Sequence, residues 1–282
     1  MGRAFAAGAA ALICTFALAA FPGHGAQTYA EELQADISLS SGRGCAEMTD
    51  ADIYTFVSLS GSEQVRISCE EEIGGVYIMW NKIPGEWTYA CAGTEYTGGK
   101  ARFLHEYVEP GQPADEIVLS MPQGGAQITD IYVFGRGEPP GWVQRWQPSC
   151  EEADILLFSA HADDEHLFFA GLLPYYAAVR GAEVQVVYLT QHWSTASRPH
   201  EQLDGLWAVG IRSYPVIADF PDDGRSLGSA SEKTEDILAR ARRVYDEEEW
   251  VEFQTEQIRR FKPLVIVGHD LDGEYGHGAH ML

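Results

Sequence analysis

The feature that most constrains this chain is a change of pattern at Ala153. Beyond it, four short apolar runs recur with helix-length segments between them: Ile155–Phe158, Val184–Leu189, Val216–Ala218 and Leu264–Val267. The first is apolar at every position, as a strand covered on both faces must be. Between the runs, Glu165–Arg180 is helix-forming but is broken or kinked at Pro174 and stopped at Gly181, Glu201–Val209 ends at Gly210, and Glu232–Phe261 is long, charged and helical. Strands that alternate with helices pair in parallel through right-handed crossovers. The expectation is an α/β half built on a Rossmann-like parallel sheet. It lacks GxGxxG, so nothing supports a dinucleotide cofactor.

Residues 38–150 read differently. Their apolar runs are short, as in Val76–Trp80, Ile117–Leu119 and Ile131–Phe134, and turn pairs fall between them: Pro84-Gly85, Gly98-Gly99, Pro110-Gly111 and Gly124-Gly125. Short β-prone runs bounded by turn residues predict a smaller all-β sandwich ahead of the α/β half. Trp80, Trp87, Tyr89 and Tyr96 leave two readings open, a sugar-stacking surface or core aromatics. The connection Gly141–Ser149 is short, so the halves are expected to pack together.

The N-terminus carries Arg3, an apolar run from Ala4 to Phe21, then Pro22-Gly23-His24-Gly25-Ala26, with Ala20, Ala26 and Ala30 as possible cleavage ends. That is the layout of a secretory signal peptide over residues 1–30. The expected protein is secreted or cell-surface, with no transmembrane span once mature; a membrane anchor is the rival reading. After Cys14, the even set Cys45, Cys69, Cys91 and Cys150 makes two disulfides the expectation in an oxidising compartment, with the pairing open. The balance of 19 Lys and Arg against 42 Asp and Glu, a net charge of −23, speaks against a nucleic-acid partner. Oligomeric state is open.

In an open parallel sheet, ligands bind beyond the carboxyl ends of the strands. The first strand runs into His161-Ala162-Asp163-Asp164-Glu165-His166. The fourth runs into His269-Asp270, followed by Tyr275-Gly276-His277-Gly278-Ala279-His280. Two clusters of imidazoles and carboxylates therefore meet one sheet edge. His161 and Asp164 are three residues apart at a strand-to-helix turn, and His277 and His280 have the same spacing. Two His and one Asp satisfy a hydrolytic zinc, which needs three N/O ligands and an open position. Taken singly, HxxD also describes a capped helix start, and the His277/His280 pair a solvated loop.

Ala160–Glu165 resembles the AHPDDE signature of the PIG-L/LmbE-like de-N-acetylases, and Gly276–His280 resembles the second motif of that family. Arg198-Pro199-His200-Glu201 is similar to its RxxE, and Phe220-Pro221-Asp222 to the segment that follows. The resemblance covers residues 153–282 and implies roles by position. His161, Asp164 and His280 bind zinc, with iron or cobalt as alternatives. Asp163 is the general base, and His277 stabilises the oxyanion or acts as acid. Arg198 and Asp222 hold the sugar, and Tyr275 lies near the carbonyl. Ala162 stands where the family has Pro and Ala279 where it has Asp. The family continues past the second motif, which implies a sheet incomplete at its C-terminus. Ile128–Gly135 and Trp142–Trp146 loosely resemble the closing strands of discoidin-like jelly-roll modules. The implied function is removal of N-acetyl groups from N-acetylglucosamine glycans or conjugates. A weakened carbohydrate-binding protein and a zinc amidase on a non-sugar amide are the alternatives. His166 is expected to be structural, His192 to line the rim, Trp207 to be core, and His269 to support the ligands.

Overall fold

The structure is a computed structural model that describes residues 29–191, 195–220, 239 and 246–270. Residues 1–28 of the expected signal peptide, His192, Asp222 and the whole second motif, with Tyr275, His277 and His280, lie outside the described residues.

Nine strands make two antiparallel sheets. The first holds β1 (Asp36–Leu39), β3 (Gln64–Ser68), β8 (Glu116–Ser120), β5 (Trp87–Cys91) and β6 (Thr94–Gly98), in the order β1-β3-β8-β5-β6. The second holds β2 (Val57–Leu59), β9 (Ala126–Phe134), β4 (Gly75–Trp80) and β7 (His105–Val108), in the order β2-β9-β4-β7. Alternation explains the first sheet: Val65, Ile67, Ile117 and Leu119 are buried, while Arg66 faces solvent. These residues share one core with Val57, Leu59, Val76, Ile78 and Trp80 of the second sheet, so the sheets form a sandwich. Gly125 closes the turn into β9 at φ +78° and sits against the Leu59 carbonyl, where a Cβ would be 2.3 Å away. The turn read at Gly124-Gly125 therefore needs glycine for both conformation and space.

The core reading of the tryptophans is correct and the sugar-stacking face is not formed by them. Trp80 and Trp87 are buried and meet edge to face across the sandwich at 5.4 Å. Tyr89 is buried, and only half-buried Tyr96 stacks over it at 5.1 Å. Glu106 explains why two indoles can sit so deep. Its Oε2 accepts from Trp80 Nε1 at 2.9 Å and Trp87 Nε1 at 2.8 Å, and its Oε1 accepts from Gly99 N at 2.9 Å. The disulfide expectation is corrected as well: Cys45, Cys69, Cys91 and Cys150 are all free thiols. They sit in separate settings. Cys45 donates to Ile37 O at 3.3 Å, and Cys91 is inside β5 with its side chain in the core. Cys150 lies in the connection, its N–H donating to Gln185 Oε1.

The α/β part contains a four-stranded sheet, β12-β11-β10-β13, formed by β10 (Ile155–Ser159), β11 (Val184–Thr190), β12 (Val216–Phe220) and β13 (Val265–Val267). Every neighbouring pair is parallel. β10 and β11 are buried along their whole length, which is why their sequences show no alternation. The helix α1 spans Asp164–Leu167, α2 spans Arg198–Ala208 and α3 spans Glu247–Phe261. The chain leaves the helical conformation after Leu167 and re-enters it at Leu172, so the break precedes Pro174, which stands in the first turn of the separate helical segment that continues through Pro174–Val179, where its missing N–H costs no bond. The helix α2 starts three residues earlier than the pattern predicts, because Arg198-Pro199 forms its first turn and proline suits that position. Of the long helix read over 232–261, α3 is the part within the described residues besides Ala239. Asp246 caps it, accepting from Glu248 N and Glu249 N.

The two parts share a core. Trp146, in the connection, meets Trp207 of α2 at 5.4 Å and Tyr214 at 5.5 Å. Trp207 is half-buried, not fully core as its helical position predicts, because it covers the connection and donates from Nε1 to Gly141 O. Among the described residues, no helix is long and apolar enough to cross a membrane.

Candidate active site

Within the parallel sheet the order runs third, second, first, fourth, so the direction of winding reverses beside β10. A crevice opens at the carboxyl edge where winding reverses. β10 ends at Ser159 and the chain turns at once into His161–Asp164. Several bonds hold that turn. Ser159 Oγ donates to His161 O at 2.9 Å, and Thr190 Oγ1, from the end of β11, donates to Ala160 O at 2.7 Å. The Asp163 N–H reaches His161 O at 3.1 Å, and the His161 N–H donates to Asp164 Oδ2 at 2.9 Å. Ala162 is buried under this loop. The turn is therefore set by hydrogen bonds and does not need a pyrrolidine ring at Ala162.

His161 and Asp164 converge. Nδ1 of the imidazole lies 3.4 Å from Oδ2 of the carboxylate, and Asp164 is completely buried. His269, just after β13, stands on the other side. Its Nε2 is 3.4 Å from the same Oδ2 and accepts the Ala160 N–H at 3.2 Å. Phe168 and Phe169 contact its ring by their edges. His269 thus ties the fourth strand to the first motif, in the supporting position expected of it.

Asp163 points elsewhere. It precedes α1, where its carbonyl accepts from His166 N and Leu167 N, and its carboxylate remains partly exposed. Arg198 Nη2 donates to Asp163 Oδ2 at 3.0 Å, and its Nη1 stands 3.7 Å from Glu201 Oε2. The RxxE spacing therefore places Arg and Glu on one face of α2, one turn apart, with the guanidinium toward the first motif. Glu165 is fully buried behind the loop, and burial pushes its carboxyl up to about 7. His166 lies against it, Nε2 to Oε1 at 3.4 Å, with burial lowering its pKa. The His166 ring also touches α2 where Gly205 has no side chain; a Cβ there would be 2.3 Å from Nε2. The structural reading of His166 agrees with this packing.

So His161, Asp163, Asp164 and Arg198 come together at one sheet edge, with His269 behind them. Two residues beside the site carry no signal that sequence reading could weigh: His105 and His200, 95 positions apart, are bonded at 2.7 Å.

Comparison with known proteins places the same part of the chain in a family match. Residues 156–282 match the PIG-L family, GlcNAc-PI de-N-acetylase. The PIG-L segment thus begins inside β10 and takes in both motifs. Its relatives include the "1D-myo-inositol 2-acetamido-2-deoxy-alpha-D-glucopyranoside deacetylase" of Mycolicibacterium gilvum, 30% identical over 147 residues, or 46% of this chain and 51% of that one. A protein of the same description, numbered 1, from Saccharopolyspora erythraea is 31% identical over 151 residues, 45% of this chain and 50% of that one. The chain spans about half the length of the curated relatives it matches. Among solved structures, a Streptococcus pneumoniae fucose binding module is 9% identical and covers 36% of this chain and 90% of its own, at a TM-score of 0.27. A likeness at that score decides nothing about fold or function.

Proposed function

We propose that this chain is a metal-dependent de-N-acetylase of N-acetylglucosamine-containing substrates, hydrolysing the acetamide to acetate and a free amine. The observation that carries the reading is the first-motif loop at the carboxyl end of β10, where His161 and Asp164 converge while Asp163 turns toward Arg198.

The donors fit a borderline divalent ion such as zinc: a neutral-capable imidazole and a buried carboxylate whose oxygen lies 3.4 Å from it. His161 and Asp164 would hold it together with His280. When bound, such an ion lowers the pKa of water and polarises a carbonyl oxygen. The chain supplies the remaining work. Asp163 would take the proton of the attacking water; its partly exposed carboxylate and its hydrogen bond to Arg198 support that role. Arg198 has five donors in a fixed fork, so it can keep Asp163 and also bind a sugar hydroxyl. Asp222 is assigned to the same sugar and Tyr275 to the carbonyl side. His277 is assigned to the oxyanion or to proton delivery to the leaving amine. One water is consumed: its oxygen joins the acetyl carbon, and the amine leaves protonated.

The test is acetate release from N-acetylglucosamine oligomers and inositol conjugates, with and without added zinc. Asp163→Ala should lower turnover by about 10²–10⁴-fold while the protein keeps its metal. Unchanged turnover in that variant would remove Asp163 from its role.

A further inference from the structure

His105 and His200 lie in different halves of the molecule. His105 is on β7 of the sandwich, and His200 is in the first turn of α2, two residues after Arg198. Both are fully buried, their rings stack at 5.0 Å, and His105 Nε2 is 2.7 Å from His200 Nδ1. The protons on this pair follow from its neighbours. The Trp146 indole N–H can only donate, so the Gln144 end it meets is Oε1, and Gln144 Nε2 donates to Asp204 Oδ1, at 2.5 Å. That leaves Gln144 Oε1 as the acceptor for His105 Nδ1–H at 2.8 Å and for Trp146 Nε1–H at 2.7 Å. Tyr77 OH stands 2.9 Å from the same Nδ1. With its proton on Nδ1, His105 accepts at Nε2, and His200 Nδ1–H must be the donor. The chain Gln144–His105–His200 therefore has one consistent direction. Burial pushes His105 down to about 3 and His200 to about 4, so both rings stay neutral.

We infer that the sandwich is a working part of the candidate active site: His105, through His200, is a positioning residue that fixes the first turn of α2 and so the placement of Arg198. The inference rests on the de-N-acetylase reading only for what Arg198 does. The anchoring itself is independent of it. Two further contacts bind the same helix to the sandwich side, Gln144 to Asp204 one turn on and Trp207 to Gly141 at its end. Among the described residues, only the His105–His200 bond joins the sandwich to the turn that carries the guanidinium.

The experiment compares the full chain with His105→Phe, His105→Gln and His200→Gln. Hydrogen exchange of the segment 196–206 is followed by mass spectrometry, beside steady-state acetate release. His105→Phe keeps an aromatic ring and loses the acceptor. His105→Gln keeps a polar atom near the Nε2 position. His105→Phe and His200→Gln should speed exchange in the first turn of α2 about tenfold. They should also raise KM about tenfold, with a fall in kcat because Arg198 also anchors Asp163, and His105→Gln should recover most of the exchange protection and of the KM. Loss of folded protein would lower kcat and leave KM alone. Wild-type exchange and KM in both His105→Phe and His200→Gln would overturn the inference, as would a His105→Gln no better than His105→Phe. If the parent chain releases no acetate, the de-N-acetylase reading fails while exchange still decides the anchoring. Should His105→Phe fail to fold, His200→Gln carries the same test from the helix side.

Discussion

Glu106 shows how much a single side chain carries in this fold. Three donors from β4, β5 and the Gly99 turn end on its two oxygens, and burial raises its pKa. Glutamine has nearly the same shape but only one acceptor oxygen. It must turn its amide toward either the two indoles or the Gly99 N–H, leaving a buried donor facing a donor. Glu106→Gln should therefore cost about 1–3 kcal/mol in urea unfolding, without changing the sheet content seen by circular dichroism. A cost near zero would mean that the indoles are not held by the carboxylate. The residue scale is also where sequence reading was least complete. HxDD and RxxE were legible because each is a local pattern, and the structure brings His161, Asp163, Asp164 and Arg198 together as the family resemblance implies. His105 meets His200 only through the packing of two sheets and a helix, so no local pattern could show it. The cysteines misled for a related reason: their even number says nothing about whether any two sulfurs meet.

At the scale of elements, reading succeeded where one force acts alone. β10 and β11 are buried on both faces and read as unbroken apolar runs. Gly210 marks a break because of backbone chemistry, at φ +93°. The start of α2 was placed late because its first turn, Arg198-Pro199-His200, has no apolar periodicity of its own: Pro199 and His200 are buried by tertiary contacts, and Arg198 is partly exposed. The helix α3 was legible at its end and has a clear cap at its start. Asp246 Oδ1 accepts from Glu248 N at 2.9 Å, three glutamates follow in the first turn, and Arg259 and Arg260 stand in the last. These charges oppose the helix dipole at both ends. Asp246→Ala should cost about 1 kcal/mol, read as a lower urea midpoint. Asp246→Ser should keep most of the stability, because a hydroxyl can take the same bonds.

For the whole molecule, the two buried imidazoles set a pH dependence. Their folded pKa values lie near 3 and 4, below the ordinary value of 6.5. Between those limits the unfolded chain binds protons that the folded chain refuses, so stability falls as pH drops below 6.5. One pH unit below, each imidazole costs about 1.4 kcal/mol. The groups around them are Tyr77, Gln144, Asp204 and Glu201. Burial raises the carboxyls of Glu106 and Asp204, that of Asp130 to about 6 and that of Glu165 to about 7, so these four act with the opposite sign. A comparison at matched pH isolates the imidazoles. The urea midpoint of the parent minus that of His105→Gln/His200→Gln should shrink steadily from pH 6.5 to 4.5. A constant difference would mean that neither ring is kept neutral by the fold.

Tyr214 gives the boundary between the halves a further meaning. Its hydroxyl accepts from Leu104 N in the sandwich at 3.1 Å, and its own N–H donates to Gln147 O at 2.8 Å. Its carbonyl receives Ser149 Oγ and Gln185 Nε2, each at 3.1 Å. One residue of the α/β part is thereby stitched to a strand end, to the connection and to the middle of the parallel sheet. A recombination event that exchanged the sandwich at residues 141–150 would strand that hydroxyl and the Trp146 pocket together. The lineage of such a chain can trade its front half only by inheriting the seam along with it.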